Sequence, residues 1–284
     1  MTIAIFGATG KLGGHIIDQL LEREIPASEI LALGRNTERL EQLAGRGLAT
    51  AAVNLDDVDG TAATLSGVDK VLLISVSDPG QRIQQHANAI EAARQAGVQH
   101  LIYTSALQAP TTILELAADH KATEELITAS GIPATFLRNG WYTENHVQDF
   151  AAARGNGAIA NSVGEGGLAT ASRKDYAEAA AVVLTTHGHE NKAYELSGDT
   201  AWNYNEFTAA AGKVLGTPVS YKALNAEEER ERLLAFGLDA GTAGFLVTLN
   251  TNTRDGALAH TSGDLSRLIK RPTEPLEVTM RTWV

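Results

Sequence analysis

One stretch near the start of the sequence constrains the fold more than any other. A short apolar run at 3–6 predicts a strand, and apolar residues at helical spacing over 12–21 predict a helix. Between them, Gly7 permits a tight turn, Gly10 lets the backbone approach a bound group, and Gly13 lets the helix lie against the strand. The order of these signals predicts a strand–turn–helix unit.

A turn of this kind can bind a pyrophosphate, because free N–H groups and the positive end of the helix dipole face it. Three glycines at this spacing are a weak signal alone, but the strand before them and the helix after them favour a dinucleotide site. The alternative is a glycine-rich turn that binds nothing. The predicted cofactor contacts in the turn are Gly7, Thr9, Gly10, Lys11, Leu12 and Gly13.

Strand and helix patterns alternate along the rest of the first half of the chain. Further strands are predicted over 29–33, 48–53, 71–74, 100–105 and 133–137, and helices over 37–43, 57–65, 80–96 and 114–130. The strand over 71–74 is apolar throughout, as expected when both faces of a sheet are covered. This alternation predicts an α/β fold of the Rossmann type, with a doubly wound parallel sheet.

The pattern changes after Arg138 and predicts a second, smaller α/β lobe. Turn-forming residues are frequent over 139–172, and a helix over 173–187 and a strand over 193–196 return to the sheet. Three or four amphipathic helices are predicted over 200–284, with a strand at 219–221 between the first two. We therefore expect a dinucleotide-binding domain of 1–140 plus about 173–198, and a smaller lobe of 141–172 plus about 199–284.

Composition excludes several classes of partner and chemistry. The net charge is −11 and no Lys/Arg cluster stands out, so neither nucleic acid nor an anionic membrane surface is an expected partner. No apolar run approaches the ~20 residues of a membrane span. The absence of cysteine excludes disulfides and thiolate catalysis, and the histidines show no metal spacing, so no metal is expected. With no signal-like segment before the first strand, these features favour the cytoplasm.

The residues after the second predicted strand indicate which dinucleotide binds. Proteins that bind NAD usually have Asp or Glu at this point, where it bonds the ribose 2′-hydroxyl. This chain has Gly34, Arg35 and Asn36 instead. An acid would repel a 2′-phosphate, whereas Arg35 can pair with it and Asn36 can add a hydrogen bond. The pattern predicts NADP (NADPH) as the cofactor; the alternative is that Arg35 is a solvated surface residue.

Polar residues at the other strand ends extend the predicted site, because an open α/β sheet binds ligands at the carboxyl ends of its strands. Asn54 either bonds the adenine or is only a turn residue. Tyr103 is expected to be a buried strand residue. The residues expected to line the ribose, the pyrophosphate and the nicotinamide end of the cofactor are Ser75, Val76, Ser77, Thr104, Ser105 and Asn139.

Two large aromatic residues, Trp141 and Tyr142, follow the sixth predicted strand beside Gly140. Rings stack on rings, so the pair can form a wall for a flat aromatic ligand. Packing in the core is an equally good interpretation of the same residues. If they form a wall, the ligand is flat, such as a small aromatic molecule.

The segment Gly7-Ala8-Thr9-Gly10-Lys11-Leu12-Gly13 resembles the GATGxLG signature of the NmrA-like group of atypical short-chain dehydrogenases. Further stretches, among them 35–36, 103–105 and 137–145, resemble its NAD(P)H:quinone oxidoreductase 2 branch, to which triphenylmethane dye reductases are a sister group. The resemblance covers nearly the whole chain and is weakest over about 225–260. It implies an enzyme that prefers NADPH and reduces quinones held near the nicotinamide.

One departure from ordinary short-chain dehydrogenases limits the chemistry. Those enzymes carry Tyr-x-x-x-Lys, in which the lysine lowers the pKa of the tyrosine so that it can transfer a proton. Here Leu116 takes the tyrosine position and His120 the lysine position, while Lys121 points about 100° away on the helix. Carbonyl–alcohol interconversion is therefore disfavoured. Quinone reduction is not disfavoured by this departure. His120 could orient the nicotinamide ribose or donate the proton that a reduced quinone takes up; the alternative is that His120 is a surface histidine.

Three functions stay open on the sequence alone. In the first, NADPH reduces a quinone that lies against Trp141 and Tyr142, and His120 and Asn139 complete the set of catalytic candidates. In the second, the protein is a redox sensor that binds NADP and regulates a partner without catalysis, as some NmrA-like proteins do. In the third, it is a dye or imine reductase on the same scaffold. The oligomeric state is also open, with a homodimer among the alternatives.

Overall fold

The structure is a computed structural model that describes residues 1–76 and 80–284. Within these residues the chain forms two compact units. The first comprises Met1–Thr111, Leu116–Asn139 and Arg173–Glu195, and the second comprises Thr112–Glu115, Gly140–Ser172 and Leu196–Val284.

The elements of the described residues follow in chain order. The strands are β1 (Ile3–Phe6), β2 (Ile30–Gly34), β3 (Ala49–Ala52), β4 (Lys70–Ile74), β5 (His100–Ala106), β6 (Ala134–Asn139), β7 (Ala158–Asn161), β8 (Lys192–Leu196) and β9 (Ser220–Ala223). The helices are α1 (Lys11–Glu22), α2 (Thr37–Ala44), α3 (Val58–Thr64), α4 (Arg82–Gln95), α5 (Ala117–Ser130), α6 (Val147–Asn156), α7 (Arg173–Thr185), α8 (Tyr204–Leu215), α9 (Ala226–Ala235), α10 (Ala240–Arg254), α11 (Asp264–Ile269) and α12 (Leu276–Arg281).

The first unit is built on a seven-stranded sheet in the order β3-β2-β1-β4-β5-β6-β8. Strand β1 pairs in parallel with β2 on one side and β4 on the other, so that Ile3 lies opposite both Ile30 and Lys70. The pairs β2–β3, β4–β5 and β5–β6 are parallel as well. The strand order reverses between β1 and β4, and such a switch point opens a crevice at the carboxyl ends of the strands. The predicted doubly wound Rossmann sheet is confirmed.

Apolar burial on both faces of this sheet stabilises the first unit. Strand β1 is buried along its whole length, and Leu72 and Ile102 of the neighbouring strands are fully buried too. Helix α1 buries Ile16, Ile17 and Leu20 on one face, which is the face that its sequence periodicity predicts. Each such side chain contributes about 1.5–3 kcal/mol when it is removed from water. The glycine turn therefore joins two elements that are themselves firmly packed.

The second unit contains the small parallel sheet β7–β9 and most of the later helices. Its core includes an aromatic group in which His146, Trp202 and Phe207 pack with ring centroids 5.0–5.7 Å apart. The indole N–H of Trp202 donates to the hydroxyl of Thr170 at 2.8 Å. This pairing satisfies the polar end of a ring whose apolar body is buried.

The sequence predicted some elements of the second unit incorrectly. Five helices follow residue 200, rather than three or four, and the helix α6 and the strand β7 lie within 139–172, where the sequence pattern indicates turns. Helix α10 carries glycines at 241 and 244 and threonines through its length, so its apolar pattern is interrupted. Strand β6 continues to Asn139, two residues beyond its predicted end.

No helix among the described residues has both the length and the apolar character to cross a bilayer.

A buried polar cluster lies at the amino ends of β5 and β6 around His100. The hydroxyl of Thr135 donates to the carbonyl of His189 at 2.6 Å, so it accepts from Nε2 of His100 at 2.8 Å. Nδ1 of His100 is buried, lacks a hydrogen-bond partner among the described residues and lies 4.0 Å from Oε1 of Glu190. Burial, assisted by the charge of Lys70, lowers the pKa of His100 to about 4.

We expect this histidine to make the protein less stable in mild acid. The unfolded chain binds a proton at His100 near pH 6.5, whereas the folded chain resists it until about pH 4. The contribution to stability is therefore complete above pH 6.5 and is lost as the pH falls toward 4. Between pH 7.5 and pH 5 the loss is about 2 kcal/mol, measured by urea unfolding. The variant His100→Gln keeps a donor for Thr135 but has no ring to protonate. Its free energy of unfolding should therefore fall by about 2 kcal/mol less over this pH range than that of the wild type. An equal fall in both proteins would contradict the expectation.

Candidate functional site

The turn between β1 and α1 is fixed by backbone hydrogen bonds. The N–H groups of Gly7 and Ala8 both donate to the carbonyl of Leu33 at 3.1 Å, and Gly10 N–H donates to the carbonyl of Gly7 at 2.9 Å. Gly7 has a φ of 82°, which side chains other than glycine rarely adopt. A Cβ atom on Gly13 would lie 2.3 Å from the Gly7 carbonyl oxygen, so the helix packs directly against the turn.

The first turn of α1 is suited to an anion. The helix begins after Gly10 with no side-chain hydrogen bond to its first N–H groups. Helices α2 and α3, by contrast, are preceded by Asn36 and Asp57, whose side chains accept from N–H groups of the first turn. Because the first N–H groups of a helix have no partner within it, those of 11–13 are left for a ligand. The residues present therefore fit a pyrophosphate at this point.

Two arginines follow the glycine turn's neighbour β2, one directly after the strand and one in α2. Gly34 is buried, and a Cβ atom there would meet Oγ1 of Thr9 at 2.7 Å, so a larger residue would require the Thr9 side chain to move. Arg35 and Asn36 are exposed. The carboxamide oxygen of Asn36 accepts from Arg39 N–H at 3.0 Å and caps α2, which leaves its amide nitrogen as the group that could donate to a phosphate. Nη1 of Arg39 donates to the carbonyl of Thr9 at 2.6 Å, so this arginine contacts the turn directly.

Two further predicted contacts lie at the ends of β3 and β4. Asn54 is exposed, and its side-chain oxygen accepts from Asp56 N–H at 3.1 Å, as in the turn interpretation of this residue. Its amide nitrogen keeps the capacity to donate to a base. The predicted contact Ser77 lies outside the described residues.

His120 lies on α5 at the carboxyl end of the sheet. It is buried, whereas Lys121 is exposed, so the two side chains face different ways, as the sequence predicts; Leu116 immediately precedes the helix. Nδ1 of His120 lies 2.9 Å from the hydroxyl of Tyr103, which is itself fully buried, as predicted. Burial, and to a lesser extent the charge of Arg82, lowers the pKa of His120 to about 4. At neutral pH the ring is therefore uncharged and can act as a hydrogen-bond donor but not as an imidazolium acid.

The hydroxyls at the end of β5 have protein partners. Thr104 accepts from Ser75 N–H at 2.9 Å, and Ser105 donates to Oε1 of Glu124 at 2.6 Å. Glu124 is also bound through both oxygens by Arg138, at 2.9 and 2.7 Å. Nη1 of Arg138 continues to Glu195 on β8 at 2.8 Å. Ser105 thus offers a ligand only the lone pairs of its oxygen, because its proton is committed to the carboxylate.

Asn139 ends β6 and is 9% exposed, and its carbonyl accepts from Leu107 N–H at 2.9 Å. Trp141 and Tyr142 are half-buried and belong to the second unit. Their backbone runs beside Ala171, whose N–H donates to the carbonyl of Trp141 at 3.3 Å. Across residues 1–76 and 80–284, no group of three or more His, Asp or Glu side chains could hold a metal ion.

A family model described as NAD(P)H-binding matches residues 7–187, from the first glycine of the turn to just beyond α7. The chain belongs to this NAD(P)H-binding family. Among curated proteins, quinone oxidoreductase 2 of Escherichia coli (strain K12) is 42% identical to it over 274 residues, which is 96% of each chain.

Two solved structures have nearly the same fold. The NADPH-dependent quinone oxidoreductase of Escherichia coli in complex with NADPH matches with a TM-score of 0.95 and 41% identity, over 99% of each chain. The triphenylmethane reductase of Citrobacter sp. in complex with NADP(H) matches with a TM-score of 0.94 and 36% identity, over the full length of both chains. The resemblance drawn from the sequence motifs, including its sister group, is confirmed.

Several residues of the site were missed by the sequence reasoning. The pattern His-x-x-Thr-Glu places Thr123 and Glu124 on the helix face of His120, but it does not indicate their contacts with His86, Ser105 and Arg138. Arg39 and His86 lie in helices rich in polar residues, where nothing marks one of them as special. Their partners become apparent only once the chain is folded.

The packing of the turn predicts opposite results for two neighbouring glycines. Alanine at position 13 would place Cβ 2.3 Å from the Gly7 carbonyl and 2.7 Å from Ala8 Cα, so we expect Gly13→Ala to cost about 1–3 kcal/mol and to weaken NADPH binding. Gly14 has nothing within 4 Å of the added Cβ, and Gly14→Ala should stabilise the helix by about 0.5–1 kcal/mol. Thermal melting and NADPH titration of both variants check this. A Gly13→Ala protein that binds like Gly14→Ala would refute the packing argument.

Proposed function

We propose that this protein is an NADPH-dependent reductase that transfers hydride to a quinone-type acceptor. The observation that carries the proposal is its 42% identity, over 96% of each chain, to a quinone oxidoreductase. The TM-score of 0.95 with a quinone oxidoreductase solved with NADPH supports the same conclusion. The uncapped start of α1 and the two arginines that follow β2 suit the phosphates of NADPH.

When bound, NADPH supplies the hydride, and the protein contributes binding, orientation and exclusion of water. The glycine turn is proposed to hold the pyrophosphate, and Arg35 and Asn36 the 2′-phosphate, with a guanidinium suited to a phosphate through its fork of donors. The full set of proposed cofactor contacts is Gly7, Thr9, Gly10, Lys11, Leu12, Gly13, Arg35, Asn36, Asn54, Ser75, Val76, Ser77, Thr104, Ser105 and Asn139.

The proposed catalytic group is His120, with Asn139, Trp141 and Tyr142. Because burial keeps His120 neutral, its role is to donate a hydrogen bond, to the nicotinamide ribose or to the oxygen that becomes an anion as a quinone is reduced. A quinone is electron-poor and accepts hydride directly, so no tyrosine–lysine pair is required and water can supply the proton. Trp141 and Tyr142 are proposed to contact the flat face of the acceptor.

The test mixes purified protein and NADPH with a panel of benzoquinones and naphthoquinones and follows the absorbance of NADPH. A triphenylmethane dye belongs in the panel, because a triphenylmethane reductase is 36% identical over the whole chain. We expect a quinone to be reduced well above the uncatalysed rate. Oxidation of NADPH with the dye alone would favour the dye-reductase alternative. If NADPH is not oxidised with any acceptor, the protein is not a reductase of these compounds, and the redox-sensor alternative is favoured.

Location and assembly complete the proposal. A cytoplasmic location is consistent with an enzyme that consumes NADPH, an intracellular reductant. A homodimer is the assembly to test first, because two-fold dimers are the commonest oligomers of soluble proteins. Light scattering of the purified chain would measure its mass in solution.

A further inference from the structure

His86 lies on α4, is fully buried, and is not used by the chemistry described above. Both of its ring nitrogens are bonded. Nε2 lies 3.1 Å from the backbone nitrogen of Val76, just after β4, and Nδ1 lies 2.9 Å from the hydroxyl of Thr123 on α5. A histidine in this position joins two helices to a strand end that belongs to the proposed cofactor site.

The surrounding bonds fix the tautomer of this ring. A backbone N–H can only donate, so Nε2 of His86 must accept the bond from Val76. The hydroxyl of Thr123 donates to the carbonyl of Asp119 at 2.8 Å, so it accepts from Nδ1. The ring is therefore neutral and carries its proton on Nδ1. Burial, with further effects of His120 and Arg82, lowers the pKa of His86 to about 3, so the ring stays in this form at neutral pH.

The other polar group of Val76 is held from the same helix. Its carbonyl accepts from Nε of Arg82 at 2.8 Å, and Nη1 of Arg82 pairs with Asp119 at 3.1 Å. The N–H and the C=O of one residue are thus both bonded to side chains of α4, and α4 is tied to α5 through Asp119. These two hydrogen bonds fix the orientation of both backbone polar groups of Val76.

The same histidine also touches the group that holds His120. The rings of His86 and Tyr103 meet edge to face with centroids 5.4 Å apart, and the hydroxyl of Tyr103 lies 2.9 Å from Nδ1 of His120. His86 therefore contacts two groups near the proposed site: the N–H of Val76 and the ring of Tyr103, whose hydroxyl lies beside His120.

We propose that His86 is a positioning residue for the cofactor: by accepting the N–H of Val76, it holds the end of β4 in the conformation that NADPH binds. A site that is ordered before the ligand arrives does not lose affinity to the entropy of ordering. The inference rests on the proposed function only in its choice of NADPH as the ligand. It predicts that affinity depends on the hydrogen-bond acceptor at Nε2 and much less on the donor at Nδ1.

Two variants separate the two nitrogens. His86→Gln places its amide oxygen near the Nε2 position and keeps an acceptor for Val76 N–H. His86→Asn is shorter, reaches only the Nδ1 position, and leaves that N–H unpaired. We expect His86→Asn to raise the Kd for NADPH about 10-fold, because a buried donor is left unsatisfied, and His86→Gln to stay within about 3-fold of the wild type. Fluorescence of bound NADPH measures Kd, and kcat at saturating NADPH should change less than KM in both variants.

The outcomes distinguish this inference from the proposed function. If the wild type binds NADPH but reduces no acceptor, the proposed function fails and the comparison of Kd values still tests His86. Equal Kd values in the wild type and both variants, or an equal loss in both variants, would overturn the positioning role. Should His86→Asn fail to fold, ¹⁵N NMR of the histidine rings in the wild type decides: a proton on Nδ1 is expected, and a proton on Nε2 would overturn the inference.

Discussion

Arg35→Ala is expected to weaken NADPH binding about 10- to 100-fold and to leave NADH binding nearly unchanged, since a hydrogen bond to a charged group contributes about 1.5–3 kcal/mol. The guanidinium is exposed at the end of β2, where an NAD-binding protein would carry an acid. Only NADPH has the 2′-phosphate that an arginine here would bind. Titration of the protein with each cofactor, followed by fluorescence, measures both constants.

A matched control exists close by in the chain. Arg46 follows α2, is also exposed, and pairs with Asp18 at 2.6 Å on the surface. Arg46→Ala removes the same charge and should leave both constants unchanged. An equal loss of NADPH and NADH affinity in Arg35→Ala would show that this arginine acts on the fold or on the shared part of the cofactor. The assignment of the 2′-phosphate to Arg35 would then be wrong.

Arg138→Met is expected to produce the largest loss of stability, about 3–5 kcal/mol, because it leaves the buried carboxylate of Glu124 without its cation. Glu124 is 6% exposed and is held by two bonds from the guanidinium, which also reaches Glu195. When the guanidinium is removed, the free energy of desolvating the Glu124 carboxylate is no longer offset by its attraction to Arg138. Urea unfolding of the variant measures the change in free energy.

The chain offers an exposed pair with the same geometry as a control. Arg94 bonds both oxygens of Glu91 at 2.8 Å on the surface of α4. Arg94→Met should cost less than about 1 kcal/mol, because water already solvates both charges. The double variant Arg138→Met, Glu124→Leu should recover most of the lost stability, since it removes the unpaired charge. Similar losses in Arg138→Met and Arg94→Met would contradict a buried network.

The sequence predicted the fold of the first unit well, because its signals are local. The strand before the turn, the helix after it and the apolar strands that follow are each determined by the periodicity of short segments. The second unit was predicted less completely, since α6, β7 and α10 have weak periodicity and frequent small residues. There, contacts between distant segments decide the structure, and a single sequence does not display them.

Within the site, the structure refined the predicted roles of several residues. Asn36 caps α2, the side chain of Asn54 forms a turn, and the proton of Ser105 goes to Glu124. Each of these residues lies where the sequence placed it, at a strand end. Its hydrogen-bond partners could not be predicted, because polar side chains at strand ends can bind the backbone, a neighbouring side chain or a ligand equally well.

The sequence by itself determined the strand–turn–helix unit, the family, and the presence of arginine where an acid would select NAD. These depend on residue types at fixed short spacings: the tight turn after β1 has a φ of 82° at Gly7, which glycine adopts far more readily than other residues. Only the tertiary structure decided which side chains meet. His86 and Thr123 are 37 positions apart, and Arg138 and Glu195 are 57 apart. They come together because the folded sheet and its packed helices bring distant segments side by side, and burial there decides that His86 and His120 are neutral.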